Sequence, residues 1–367
     1  MAYPYRTSPD GVTWKYLREV FDAVPAWGEA VPGVRNPWAP DISYRDSKFW
    51  LYYSLSTFGS QNSALGLATA EKPEGPWRDE GLVFQSRRGD PYNAIDPNAF
   101  QDSKGRVWLT YGSFWKGIFV LPLDPKTGKP QPGATPKNIA AQPEGTAIEG
   151  AFVIERNGWV YLFAAIDFCC RGAKSTYKTI VGRARSMDEP FRDRKGVLLT
   201  DGGGTVLTVS GPRWRGPGHP GLAAAGKTDY LAVHSYDAQS NGIPTLRLLP
   251  IAWKRGWPEV APLEKPAPPA NSLLGVWEHR AGKGAAQQLT FSEGGAVDAS
   301  TGRPLNNNRP GPTWEADPKN KGAFTLLWPA TDAPGGFWRD SIRLGRDGRS
   351  YSGKNQKGQP ISGTRVA

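Results

Sequence analysis

The sequence predicts an all-β fold: a five-bladed β-propeller with an incomplete first blade, followed by a small C-terminal β-barrel. Three observations carry this expectation. The 367 residues include 15 Trp, 13 Tyr, 14 Phe, 44 Gly and 34 Pro, a composition of aromatic strands and tight turns. Long apolar runs at helical period are absent, which leaves short strands as the dominant element. Finally, one phrase recurs four times.

Asn-Pro-Trp-Ala-Pro-Asp-Ile-Ser (36–43) precedes Lys-Phe-Trp-Leu-Tyr-Tyr-Ser. Ala-Ile-Asp-Pro-Asn-Ala-Phe (94–100) precedes Val-Trp-Leu-Thr-Tyr-Gly-Ser. Ala-Ile-Glu-Gly-Ala-Phe-Val (147–153) precedes Trp-Val-Tyr-Leu-Phe-Ala-Ala, and Gly-Pro-Gly-His-Pro-Gly-Leu (216–222) precedes Tyr-Leu-Ala-Val-His-Ser. Each reads as a short strand, a polar turn and an aromatic-rich strand. One column reads Ala39, Asp96, Glu149 and His219, at spacings of 57, 53 and 70 residues. Such periods, with four short strands per unit, are those of propeller blades.

The remaining elements follow in order. Thr7–Trp14 reads as the exit turn of a third strand, so the chain is expected to begin inside a blade, with a fifth column position upstream of Met1. Ala64–Ala70 leading to Gly75-Pro76-Trp77, and Ile180–Ser186 leading to Glu189-Pro190-Phe191, read as third strands turning into outer edges. Asp124–Gly128 is a tight turn. The propeller is expected over residues 1–260. Pro262, Pro266, Pro268 and Pro269 mark a linker over 261–272. Residues 273–367, opening with Leu274-Gly-Val-Trp277, form the predicted β-barrel domain.

The net charge of +11 raises the question of nucleic acid. The basic residues are scattered and carry no binding motif, so the expectation is no nucleic-acid partner and a solvated surface suited to acidic cell-wall polymers. No apolar stretch is long enough to span a membrane, and no signal peptide is visible. The two cysteines, Cys169 and Cys170, are adjacent; that excludes a disulfide framework and a cysteine zinc site. Two buried thiols or a vicinal disulfide remain open.

The column carries the chemistry. Two carboxylates at equivalent points of a repeat suit glycoside hydrolysis, in which one protonates the leaving oxygen and another assists water or attacks. Glu149 follows an apolar strand start, and an apolar surround would hold its proton for donation. Asp96, fixed by Pro97, would stay ionised and orient that acid. The plainer alternative, that both acids only cap turns, is weakened by their shared column. His219 lies in the column without zinc-like companions; His234 and His279 read as structural. Trp38, Phe114 and Trp115 are candidates for stacking on sugar rings, against the alternative of core packing.

Together, Asn36–Ile42, Asn93–Asn98, Gly112-Ser113-Phe114-Trp115, Ile148–Phe152, Asp167–Gly172, Asp201–Thr205 and Gly216–His219 resemble the endo-1,5-α-L-arabinanases of glycoside hydrolase family 43. The resemblance runs from about residue 5 to residue 258, and the C-terminal segment resembles the small β-barrel of some bacterial arabinanases. It implies a five-bladed propeller and inverting, endo-acting hydrolysis of arabinan. It makes Glu149 the general acid and Asp96 the residue that tunes and orients it. It implies that His219 lies near a central ion, usually calcium, with water completing an oxygen-rich sphere. Trp38, Asn93, Ser113, Phe114, Trp115, Cys169 and Cys170 would line the cleft.

One departure is serious. The family's general base is an Asp in a His-Asp-Pro-like phrase on the first blade, and no such phrase occurs here. Asp10, in its Pro-Asp-Gly turn, does not match it. The base is therefore expected to be absent from this chain, with a loss of roughly 10²–10⁴ in rate and an inner strand left unpaired. An incomplete reading frame is favoured over a shortened chain or a protein that has lost catalysis. The rival functions are a glycan-binding propeller without catalysis and a related arabinofuranosidase or xylosidase. Arabinan is a plant cell-wall polymer, so secretion to the extracellular space, as a monomer, is expected.

Overall fold

A computed structural model describes residues 2–29, 31, 36–143, 146–261, 273–282, 284–291, 297–299, 312–317, 319–330, 333, 337–345 and 347–366. Strands β1 (Ala2–Thr7) and β2 (Lys15–Phe21) form a two-stranded sheet. A single helical turn, α1 (Ala26–Glu29), follows. Four sheets of four antiparallel strands come next. They are β3 (Asn36–Arg45) to β6 (Arg78–Ser86), with β4 (Lys48–Ser56) and β5 (Ser63–Ala70) between, and β7 (Asn98–Gln101), β8 (Val107–Tyr111), β9 (Ile118–Leu123) and β10 (Lys137–Ala140). Then come β11 (Ile148–Arg156), β12 (Trp159–Ile166), β13 (Lys178–Ala184) and β14 (Thr205–Val206), and β15 (Trp214–Ala225), β16 (Thr228–Asp237), β17 (Ile243–Lys254) and β18 (Trp257–Val260). In each, the strands lie in chain order. This is the propeller-like succession of small sheets that the repeat predicts, and the four recurring phrases coincide with the first two strands of each sheet.

The aromatic strands are continuous in hydrophobicity because both their faces are buried. Along β4, Trp50 and Tyr52 pack with Leu109, Tyr111 and Phe119 of the next sheet. The alternate residues Leu51, Tyr53 and Leu55 pack with Tyr3 and Val20 of the first. β12 repeats this division: Val160, Leu162 and Ala164 face Phe100, Trp108 and Ile118, while Tyr161 and Phe163 face Leu231, Val233 and Ile251. Period-2 alternation sends successive side chains to opposite neighbours, so the sheets that open with β3, β7 and β11 are each cemented to the sheets before and after them.

Polar side chains tie the inner strands in the same order. The Asp41 carboxylate accepts from the Ala99 amide at 2.9 Å and from Asn98 Nδ2 at 3.1 Å. Asn98 Oδ1 accepts in turn from the Val153 amide at 2.9 Å. Burial pushes the Asp41 carboxyl up to about 6 against these two donors.

Contacts divide the chain into two compact units. The first holds residues 1–4, 18–238 and 247–263; the second holds 5–17, 239–246 and 264–367. The second unit is built on one eight-stranded sheet, formed by β19 (Gly275–Ala281), β20 (Gln287–Phe291), β21 (Val297–Ala299), β22 (Thr313–Ala316), β23 (Ala323–Pro329), β24 (Phe337–Leu344), β25 (Ser350–Asn355) and β26 (Pro360–Val366). Its order is β21-β20-β19-β26-β25-β24-β23-β22. The sheet curls: the Val297 amide on one edge strand donates to the Pro312 carbonyl beside the other, at 2.9 Å. Trp277 fills its core, fully buried, with Nε1 donating to the Leu273 carbonyl at 2.6 Å.

Segments 5–17 and 239–246, read from sequence as propeller, thus group with the C-terminal sheet. For the first there is a visible cause: the Tyr16 amide donates to Glu315 at 3.1 Å and the Tyr16 ring lies 5.7 Å from Phe337. Most of the expected linker, residues 262–272, lies outside the described residues. His279 is structural, as expected from sequence: it is buried, with Nδ1 2.7 Å from the Tyr351 hydroxyl.

Two predictions follow from this packing. Asp41→Ala leaves two buried donors unpaired and will lower unfolding free energy by about 3 kcal/mol, measured as a shift of the urea midpoint. Burial depresses the His279 pKa to about 4, below its ordinary 6.5. Between those values the unfolded chain binds the proton and the folded chain does not, so this stabilising contribution, full above about 6.5, is lost as pH falls towards 4. The loss is on the order of 2 kcal/mol. His279→Gln will lack it, which a comparison of the two proteins' urea midpoints at pH 7 and pH 4.5 will read.

Candidate active site

Three of the four column positions stand where an inner strand breaks its ladder, and Asp96 stands just before β7 begins. The β11–β12 register shifts between Glu149 and Phe152. The β3–β4 register shifts between Pro37 and Pro40, and the β15–β16 register shifts on both sides of Gly218. A bulge bends the strand and re-aims side chains. The backbone is left-handed at Asp96 (φ 54°), Gly150 (φ 60°) and His219 (φ 53°), a region that Asp, His and Gly enter more readily than bulky residues do.

Consecutive column positions are linked. Ser54 Oγ donates to the Ala39 carbonyl at 2.7 Å and accepts from the Asp96 amide at 3.1 Å. The Gly150 amide donates to Asp96 Oδ2 at 3.2 Å. A Cβ on Gly150 would stand 3.1 Å from His219 Cγ and 3.2 Å from its Cα, so only glycine lets β11 approach the histidine this closely.

Both carboxylates are buried. Ser113 Oγ donates to Glu149 Oε2 at 2.5 Å, and the Tyr177 hydroxyl donates to Oε1. The carboxyl therefore meets two hydroxyls. Its neighbours in sequence, Ala147, Ile148 and Ala151, are buried, in keeping with the apolar strand start read from sequence. Asp96 is pushed up to about 6 by burial and by the charge of Glu149; His219 and the Gly150 amide pull it down. Tyr177 is fully buried, and burial, with the nearby carboxylates, holds its hydroxyl protonated far above the ordinary range.

The other candidates divide. Ser113 is buried against the acid. Phe114 and Trp115 are exposed, at 42% and 48%, and both have left-handed backbones. The Phe114 amide donates to the Ile148 carbonyl at 3.1 Å, which places this turn beside the start of the Glu149 strand. Trp38 is half-buried, next to Ala39. Asn93 is buried, with its Oδ1 3.4 Å from the Ser86 hydroxyl. Cys169 and Cys170 form a vicinal disulfide with Cys170 exposed, which decides against two buried thiols. The Cys170 amide donates to the Tyr236 hydroxyl at 2.8 Å.

Ser54, Tyr177 and Tyr236 were not singled out from sequence. His234, read there as structural, has its ring 5.6 Å from Tyr177, 6.5 Å from His219 and 5.2 Å from Tyr236. Burial, with the charge of His219, depresses its pKa to about 4 and keeps it neutral. A signal existed for Ser54 and Ser113, since serine closes the second strand in three of the four phrases. Tyr177 gave none, because it stands just before a third strand, outside the repeated words. For an ion at His219 the donor set is thin: among the described residues no three His, Cys, Asp or Glu side chains gather as ligands. Calcium prefers six to eight oxygens, so the protein side chains alone do not build its cage.

A buried carboxyl held by two hydroxyls on a bulged strand, with a second carboxylate from the start of the neighbouring propeller-like sheet bonded to the adjoining amide, is the site of a glycoside hydrolase. The chain belongs to the glycosyl hydrolases family 43, whose profile matches residues 1–258. It is 42% identical over 255 residues to the extracellular endo-α-(1→5)-L-arabinanase 1 of Bacillus subtilis (strain 168), covering 68% of this chain and 77% of that one. Among solved structures, the Cellvibrio cellulosa α-L-arabinanase complexed with arabinohexaose superposes with a TM-score of 0.67 at 34% identity, over 70% of this chain and 87% of the other. The endo-1,5-α-L-arabinanase of Thermotoga petrophila RKU-1 shares the fold over 99% of this chain and 94% of its own, with a TM-score of 0.62 at 20% identity.

Gly150→Ala tests the column contact. It forces a left-handed alanine against His219 and will destabilise the protein by about 2 kcal/mol, seen as a lower Tm. An unchanged Tm would show that β11 and His219 are not held together in this way.

Proposed function

We propose that this chain is an endo-acting arabinanase, cleaving α-1,5-L-arabinofuranosidic bonds of arabinan with inversion. The observation that carries this reading is the Asp96–Gly150–Glu149 arrangement in a family 43 chain whose relatives bear arabinanase names. Glu149 donates its proton to the departing sugar oxygen while water attacks the anomeric carbon from the opposite face. Ser113 and Tyr177 hold the two carboxyl oxygens, and one of these hydroxyls yields its place to the glycosidic oxygen when substrate enters. Asp96, bonded to the next residue's amide, fixes the acid's strand and stays charged near neutral pH. No residue is assigned as the base that activates water, because the sequence contains no His-Asp-Pro-like phrase.

The same reading takes the two-stranded sheet as the outer half of a fifth blade and the curled sheet as a small barrel. Residues 1–260 are then the hydrolase domain, with segments 5–17 and 239–246 grouping with the C-terminal sheet, 261–272 a linker and 273–367 the barrel domain. Trp38, Asn93, Phe114, Trp115 and the Cys169–Cys170 disulfide belong to the substrate cleft or its support. His219 holds calcium only with water supplying most of the shell, and no step passes through the ion. The protein acts outside the cell, as the name of the Bacillus relative suggests, and as a monomer. The second reading, a glycan-binding propeller without turnover, is favoured by the unassigned base.

The test is product release from debranched arabinan, followed by chromatography. The expected outcome is short arabino-oligosaccharides, with Glu149→Gln lowering turnover about 10²–10⁴-fold while the Tm is kept. Equal turnover in the variant would remove Glu149 from the chemistry. Bound arabinan without products from the unaltered chain would establish the binding reading instead.

A further inference from the structure

Trp159 opens β12, Arg183 lies in β13, Arg185 follows that strand and Trp257 opens β18. Their side chains form one alternating row. Trp159 carries the Arg185 and Arg183 guanidinium carbons at 3.6 Å and 3.9 Å from its ring centroid. Trp257 carries Arg183 at 4.3 Å and Arg194 at 5.7 Å. All four contacts fall within the range of cation–π attraction. A further arginine stands beside the row: Arg183 and Arg192 exchange both backbone hydrogen bonds, at 2.8 Å and 3.0 Å. Like charges directly opposite one another cost stability, so folding alone does not account for this pair.

These charges are fixed in place without being neutralised. Among the described residues, Arg183, Arg185 and Arg192 have no carboxylate partner. Each gives one nitrogen to a carbonyl: that of Gly256 at 2.6 Å, Gly158 at 3.3 Å and Gly196 at 2.9 Å, respectively. The acid next to Arg192, Asp193, is turned into its own loop, where it accepts from the Lys195 and Val197 amides. A Cβ on Gly256 would stand 2.8 Å from Arg183 Nη1, so the β17–β18 turn is shaped around the guanidinium. Stacking takes the flat faces of these groups and leaves N–H edges open. Such an edge fits a carboxylate with two parallel bonds. A carboxylate already sits at one end of the row: Glu259 lies 3.4 Å from Arg194 and 2.9 Å from Lys254. Arg185, Arg192 and Arg194 are exposed, and a row held by rings and carbonyls needs little ordering when a ligand arrives.

The row stands at the far end of its sheet from the acid. Along β11–β12, Glu149 pairs with Ala165 and Arg156 with Trp159, so six residues of β12, about 20 Å, separate the two. A ligand on the row leaves the Glu149 cleft open. Cations set in a line suit a polymer with a regularly repeated anion, and the polymers that a glycosidase meets are polysaccharides. We propose that Arg185, Arg183 and Arg194, stacked on Trp159 and Trp257 and flanked by Arg192, bind a polyuronate, an acidic polysaccharide whose carboxylates meet the guanidinium edges. This binding is separate from arabinan cleavage. It rests on membership of a glycosidase family, not on which bond is cleaved. Part of the net charge of +11 thereby has a place and a use: it draws the protein onto an acidic matrix and holds it there while the cleft stays free.

The experiment titrates the full chain calorimetrically with polygalacturonate at low ionic strength. The unaltered chain binds, added salt weakens the binding by screening, and the same polymer fully methyl-esterified does not bind. Arg185→Gln combined with Arg192→Gln changes two exposed side chains and keeps the fold. It weakens polygalacturonate about tenfold and leaves turnover of debranched arabinan unchanged. Arg183→Lys, which keeps the charge and loses the stacked fork, weakens the polymer as well. Arg343→Gln combined with Arg349→Gln removes the same charge from exposed positions on and beside the C-terminal sheet, and binds as the unaltered chain does. Equal weakening by the two pairs, or equal binding of the esterified polymer, overturns the site. Duplex DNA bound as tightly as polygalacturonate, and weakened as much by Arg185→Gln with Arg192→Gln, overturns the polysaccharide assignment. An unaltered chain that binds polygalacturonate and releases nothing from arabinan overturns the arabinan reading and leaves this site standing.

Discussion

The bond from the Gly150 amide to the Asp96 carboxylate is the constraint on which the site depends. It forms where β11 leaves its ladder, between Glu149 and Phe152. The same stretch brings the glycine backbone against His219. One local departure from regular pairing therefore sets three column residues at once. The same departure recurs in β3 and β15. A repeated defect thus marks three of the four phrases, while Asp96 in the remaining one stands just before β7 begins.

Such departures need a rigid surround, and the sheets supply it. Strands β4, β8 and β12 are buried on both faces, and their alternate residues belong to two different cores. A sheet held in this way cannot shift its register by one residue without exchanging its two cores. The Asp41–Asn98–Val153 chain adds directional bonds between the inner strands. Hydrophobic burial thus fixes how far apart the sheets lie, and buried polar pairs fix their alignment at the end where the carboxylates stand.

The immediate partners of Glu149 shift the picture of its chemistry. Two hydroxyls, from Ser113 on one sheet and Tyr177 on its own, occupy both oxygens. Hydroxyls can accept as well as donate, so either can keep its bond to the carboxyl whichever of its oxygens carries a proton. Behind them, His234 is kept neutral by burial between Tyr177 and Tyr236. Tyr236 receives the amide of Cys170. The disulfide loop is in this way joined to the wall of the acid's pocket through one ring and one hydrogen bond.

By itself the sequence determined the strands, their grouping into small sheets, and the column Ala39, Asp96, Glu149 and His219. These are local matters: period-2 alternation, turn residues and repeated words are written within a dozen residues of one another. It also carried the family resemblance, because that rests on short motifs. The tertiary structure alone decided which groups meet. Tyr177 reaches Glu149 from just before a third strand, and Ser54 bridges Ala39 to Asp96 from a second. His234 stands beside His219 because Gly218 pairs with it across β15 and β16. The grouping of residues 5–17 and 239–246 with the C-terminal sheet was equally invisible. Contacts of this kind depend on how twisted sheets stack and where their ladders slip, and no periodicity within a single strand encodes the distance to a neighbour many residues away.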